Sequence, residues 1–118
     1  MLNLNSLMIG TKQPKKLAAF YEKMLGKKPD MQDGEWYGWQ VGSGFLTIGS
    51  HSEVAQTAVE PQRLILNFET TEVETEFARL KELGAVVIKE PYTMGEAHIA
   101  TLADPDGNYV QLMTPWEK

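Results

Sequence analysis

The 118-residue chain predicts an α+β fold made of two βαβββ modules. Three observations carry that prediction. Two amphipathic helical stretches each end at a glycine, alternating stretches flank both helices in the same order, and corresponding elements recur about 58 residues apart. The two halves share little sequence, so element order and helix endings carry the repeat. The length suits a single domain over 1–118, with module one at 1–50, a connector at 51–62 and module two at 63–118.

The elements follow in order. Leu2–Ile9 alternates as a strand, with Leu4, Ser6 and Met8 on one side. Pro14 suits the first position of a helix, and Leu17, Phe20, Tyr21, Met24 and Leu25 keep helical spacing up to Gly26, a left-handed cap. Three short strands come next: Lys28–Gln32, Trp36–Val41 and Phe45–Gly49, joined at Asp33-Gly34 and at Gly42-Ser43-Gly44. The connector 51–62 has no clear period and contains Pro61.

The pattern then restarts with a strand over Arg63–Glu69. Thr71 and Glu74 are spaced as a capping box opening a helix that carries Val73, Phe77, Leu80 and Leu83 and ends at Gly84. Strands over Ala85–Lys89, His98–Ala103 and Tyr109–Thr114 complete the module. The last two flank Asp104-Pro105-Asp106-Gly107-Asn108, residues that favour a tight turn.

Composition narrows the function. There is no cysteine, which excludes disulfides, thiolate metal sites and a thiol nucleophile. With only two histidines, a transition-metal site would lean on carboxylates or backbone oxygens. A net charge of −5 is opposite to what nucleic acid or an anionic membrane surface attracts. No apolar run is long enough to span a bilayer, and Met1–Gly10 lacks the basic region of a signal peptide, so a cytoplasmic location is the expectation.

The helix segment Phe20-Tyr21-Glu22-Lys23-Met24-Leu25-Gly26 and the late segment Asp104-Pro105-Asp106-Gly107-Asn108-Tyr109-Val110-Gln111-Leu112 resemble those of the vicinal oxygen chelate superfamily, which includes glyoxalase I, bleomycin-binding resistance proteins and extradiol dioxygenases. The resemblance covers the whole chain. It implies curved mixed sheets around a cavity, and homodimerisation in short members. In metal-dependent members, ligands occupy four strand positions, which correspond here to Ser6, Thr47, Ile65 and Gln111. None is a strong donor for a divalent ion, and Ile65 has no donor at all. Metal and cofactor are therefore expected to be absent.

On this resemblance, strand parity names the inward-facing residues: Ser6 with Leu4 and Met8, Thr47 with Phe45, Ile65 with Arg63 and Asn67, and Gln111 with Tyr109 and Met113. One face of the aromatic strand joins them, either Trp36, Gly38 and Gln40 or Tyr37, Trp39 and Val41. Trp36 and Trp39 suit a ligand surface or a dimer interface. Asn67 and Gln111 need partners, which are each other, water or a ligand. His98 is expected opposite Tyr109 or Gln111, where it is a weak candidate for general acid–base work with Tyr109. His51 sits at the connector's edge.

The sequence thus points to a metal-free cavity protein that binds a small, partly aromatic organic molecule. The alternative is an enzyme of the same superfamily, working by metal-independent acid–base or transfer chemistry or, further from this donor set, by metal-dependent lyase, isomerase or dioxygenase chemistry.

Overall fold

The computed structural model of the protein describes residues 1–116. It divides into two units, Met1–Gln56 and Thr57 onward, a boundary that falls inside the connector. The first unit runs β1 (Leu7–Thr11), α1 (Pro14–Leu25), β2 (Met31–Asp33), β3 (Trp36–Val41) and β4 (Gly44–Ser50). The second runs β5 (Leu66–Glu69), α2 (Val73–Glu82), β6 (Val86–Met94), β7 (Ala97–Ala103) and β8 (Tyr109–Met113). The sheet orders are β1-β4-β3-β2 and β5-β8-β7-β6, so the predicted βαβββ module occurs twice with identical topology. In each, the first strand pairs parallel to the last and the other pairs are antiparallel.

In the first unit the sequence dictates both ends of α1. Pro14 opens it, losing no helical hydrogen bond because the first turn's N–H groups have no intrahelical acceptor. Gly26 closes it at φ 73°, its N–H donating to the Glu22 carbonyl at 2.9 Å. The buried stripe Leu17, Phe20, Tyr21 and Met24 covers one sheet face, which supplies Tyr37, Trp39, Leu46 and Ile48. Each such side chain contributes roughly 1.5–3 kcal/mol of apolar burial. Trp39 has no exposed surface; its ring stacks on Tyr37 at 6.4 Å and its indole N–H donates to the Lys27 carbonyl at 3.1 Å.

The second unit buries Val73, Phe77 and Leu80 of α2 against Ala100, Leu102, Val110 and Leu112. The predicted turn is built around Asp104. Its carboxylate accepts the backbone N–H groups of Asp106 at 2.8 Å and Asn108 at 3.0 Å, and the Asn108 amide as well. Gly107 supplies the left-handed residue at φ 84°.

Several boundaries differ from expectation for physical reasons. The first strand starts at Leu7 rather than Leu2, because its partner β4 starts only at Gly44, where the chain turns from β3. Leu2 and Leu4 are left exposed. The strand expected from Arg63 starts at Leu66, since Pro61 opens a 3-10 turn that takes up Arg63. The second strand begins at Met31, after a loop held by Lys27 and Asp30. The Thr71–Glu74 capping box does not form. Glu72 occupies the cap with no side-chain bond, the Thr70 hydroxyl accepts the Glu72 N–H, and Glu74 is engaged with His98. The strand expected to stop at Lys89 continues to Met94 through two register shifts.

Candidate functional site

Each sheet has one face under its helix and one open face, and strand parity assigns every candidate residue to one of them. Across the first sheet's open face the register aligns Met8, Thr47, Gly38 and Met31. Next to that row Gly10 pairs with Gly49 and Asp33 with Trp36, whose ring lies against Gly49. Phe45 pairs with Gln40 beside them. The glycines allow the aromatic rings to lie flat on the sheet. A Cβ on Gly49 would sit 2.6 Å from the Trp36 ring, and one on Gly38 would sit 2.8 Å from the Phe45 ring. Met8, Met31 and Trp36 remain about two-fifths exposed, so this face is an apolar surface.

The second open face has a different character. The register aligns Asn67, Gln111, Thr101 and Lys89 in one row across all four strands. Glu69, Met113, Ile99 and Tyr92 form the next row, and Tyr109 pairs with Ala103 on the other side. The register shift between Lys89 and Tyr92 changes the usual alternation, so residues three apart share a face. The Lys89 ammonium lies 5.1 Å from the centre of the Tyr92 ring. Among the described residues, the side chains of Asn67, Gln111, Thr101 and Lys89 make no hydrogen bond or ion pair with one another or with other side chains.

The sequence-predicted residues therefore fall into four groups. Met8, Phe45, Thr47 and Trp36 share the first open face, and Asn67, Tyr109, Gln111 and Met113 share the second. Trp39 belongs to the core under α1 and presents no surface to a ligand. Its alternating partner Trp36 takes the open face, which resolves the choice left open by the sequence. Ser6 and Arg63 both lie outside the strands expected to carry them. Ser6 is exposed just before β1, and Arg63 pairs with Glu60 at 3.3 Å on the surface. Ile65 likewise precedes β5 and is exposed.

His98 is not opposite Tyr109 or Gln111. It pairs with Thr93, and alternation turns its ring to the helix side, where Nδ1 lies 3.0 Å from a carboxylate oxygen of Glu74 on α2. That hydrogen bond holds the Glu74 carboxyl below the usual carboxylate range. Tyr109 points to the opposite face, so the expected acid–base pairing of these two residues is not assembled. His51 follows β4; its Nδ1 accepts the Glu53 N–H at 3.1 Å, and its Cβ packs over Gly10. Thr47 directs its hydroxyl towards the Leu7 carbonyl at 3.4 Å.

Sequence reasoning missed Met31, Lys89, Tyr92 and Thr101. Thr101 was within reach of parity, since it alternates with Ala100 and Leu102 in a predicted strand. Lys89 and Tyr92 were not, because a bulge moves the pattern that would have placed them. Among the described residues, no three His, Cys, Asp or Glu side chains converge in a way that could hold a metal ion, and no helix is long and apolar enough to cross a membrane.

Comparison with known proteins bears on the fold as a whole. The glyoxalase-like domain model matches residues 6–113. A glyoxalase/bleomycin resistance protein/dioxygenase family enzyme from Burkholderia phytofirmans superposes with a TM-score of 0.80 at 21% identity, covering 96% of this chain and 98% of that one. A glyoxalase-related enzyme from Fulvimarina pelagi gives 0.78 at 18% identity, covering 97% and 89%. The fosfomycin resistance protein FosX from Mesorhizobium loti gives 0.75 at 13% identity, covering 98% and 94%. No curated protein sequence matches. Two βαβββ modules of identical strand order, and a family match over nearly the whole chain, place it in the glyoxalase-like domain family of the vicinal oxygen chelate superfamily.

Proposed function

We propose that the protein binds a small, partly aromatic organic molecule without a metal ion, as a homodimer. The single observation that carries this reading is the first open face, where Trp36 and Phe45 lie over glycines with Met8 and Met31 beside them. Flat aromatic and thioether surface is suited to stacking on an unsaturated ligand. The proposal takes Met8, Phe45, Thr47 and Trp36 as contacts on the first open face, and keeps Asn67, Tyr109, Gln111 and Met113 as a separate set of contacts on the second.

The donor chemistry supports a metal-free reading. Of the four positions that hold ligands in metal-dependent relatives, Ile65 offers hydrocarbon, Gln111 a neutral amide, Ser6 a hydroxyl outside β1, and Thr47 a hydroxyl directed at a backbone carbonyl. A divalent ion on such donors would lose more from dehydration than it gains. The residues present do not fit the metal that the family's enzymes use, so no step is assigned to one. Among the structural neighbours, a fosfomycin resistance protein is compatible with a fold that engages a small molecule.

The test is tryptophan fluorescence of chelator-treated protein titrated with a broad panel of aromatic metabolites and antibiotics. Saturable quenching by at least one class, abolished in Trp36→Ala, is the expected result. No saturable binding across the panel would overturn the reading. Light scattering at micromolar concentration tests the dimer, and a monomeric mass would remove that part.

A further inference from the structure

The geometry points to an oxyanion-recognising row on the second open face, where Lys89, Thr101, Gln111 and Asn67 hold an organic acid. The inference rests on the reading above that the protein binds small organic molecules, and adds a charge preference for the second face. Four strands each contribute one residue to the row, in direct register. An ammonium, a hydroxyl and two amides supply hydrogen-bond donors to a single line of the surface. Among the described residues, none of them makes a hydrogen bond or ion pair with another side chain. A charge-assisted bond from Lys89 would be the strongest contact in the set.

Lys89 is also the position where β6 departs from regularity. Val87 pairs with Leu102 and Lys89 with Thr101, so Ile88 is the extra residue of a bulge; a second shift before Tyr92 leaves Tyr92 opposite Ile99. Without these shifts Lys89 and Tyr92, three apart, would point to opposite faces. With them, the Tyr92 ring lies beneath the ammonium and limits its motion without neutralising it. Tyr92 is thus a positioning residue for the cation. In a chain of net charge −5, this local placement lets the face accept an anion. Glu69 lies on the same open face but on the opposite edge strand, three inter-strand spacings or about 14 Å from Lys89.

The experiment is isothermal titration calorimetry with matched probes: benzoate and cinnamate, their primary amides, and phenyl phosphate. The acids should bind about tenfold more tightly than the amides, as one charge-assisted hydrogen bond implies. Lys89→Met, which keeps the aliphatic stem, should erase that preference, and Lys89→Arg should restore most of it. Phenyl phosphate bound more tightly than benzoate would assign the row to phosphoryl oxygens, and the reverse to carboxylates; both support an oxyanion site. Amides that bind as well as acids, or a preference that survives Lys89→Met, would overturn the inference and leave the ligand-binding reading intact. Binding of none of the probes, with no hit in the wider panel, would overturn both.

Discussion

On the first open face, Gly10, Gly38 and Gly49 clear space for Trp36, Phe45 and the ring of His51 to lie against the sheet. On the second, no strand contains a glycine, and the positions that match those three hold Glu69, Thr101 and Met113. The backbone plan is the same in both modules, down to strand order and the parallel pairing of first and last strands. The difference teaches that each helix-covered face maintains the fold, while the open face is free to become an apolar stacking surface in one copy and a hydrogen-bonding surface in the other. Fold and site chemistry are thus separable in this protein, one face at a time.

The sharpest way to break that separation is to exchange roles within one strand. Trp39→Ala removes a fully buried ring, its stacking on Tyr37 and its bond to Lys27, and should cost about 3–5 kcal/mol in urea unfolding. Trp36→Ala, three residues earlier on the open face, should cost well under half as much yet abolish ligand quenching. Equal losses of stability would mean that the open face is core after all.

The glycine floor gives the next effect. Gly49→Ala places a methyl where the Trp36 ring lies and should destabilise by roughly 1–3 kcal/mol, with a changed near-ultraviolet tryptophan dichroism. The matching position of the second sheet, Met113, pairs with Glu69 and Ile99, and Met113→Ala should leave that dichroism unaltered. A silent Gly49→Ala would show that the ring does not rest on the glycine.

Asp104 tests the second module's own turn. Asp104→Ala leaves the Asp106 and Asn108 N–H groups without their acceptor and should cost roughly 1–3 kcal/mol by thermal unfolding. The first module's equivalent hairpin at Gly42 relies on a left-handed glycine at φ 56° rather than on a buried carboxylate.

The smallest effect is expected at Glu74. Its carboxyl titrates below the usual carboxylate range, chiefly through the hydrogen bond to His98. A lowered folded-state value stabilises the protein above the ordinary carboxylate range, and the stabilisation is lost as pH falls through the lowered value. Glu74→Gln should therefore reduce the urea midpoint slightly at neutral pH and have no effect in strong acid, because the site is solvent-exposed. A larger effect at acid than at neutral pH would contradict the sign. The variant also probes His98, whose contact with Glu74 places it on the helix side, away from Tyr109.

Much of this architecture was legible because its signals are local. Pro14 and Gly26 bound α1, the Asp104–Asn108 residues make the turn, and the alternation in Tyr109–Met113 separates core from open face within one strand. The misplacements trace to information held elsewhere in the chain. Leu2 and Leu4 alternate well but have no strand beside them, since β4 starts at Gly44. Thr71 and Glu74 have capping-box spacing, yet Glu74 reaches His98, 24 residues away. Both parities of Trp36–Val41 carry a tryptophan, so only packing against α1 reveals which one is buried. The row ending at Lys89 was hidden for a similar reason. A bulge shifts registry without changing composition, and Pro91 resembles a strand end.

The most direct test of the central claim is calorimetric titration of chelator-treated wild-type protein and Trp36→Ala with the best ligand from the aromatic panel. The account predicts saturable binding to the wild type, unchanged when a divalent metal is added back, and no measurable binding to the folded variant. Binding that appears only after metal is restored, or that is undiminished in Trp36→Ala, would contradict it.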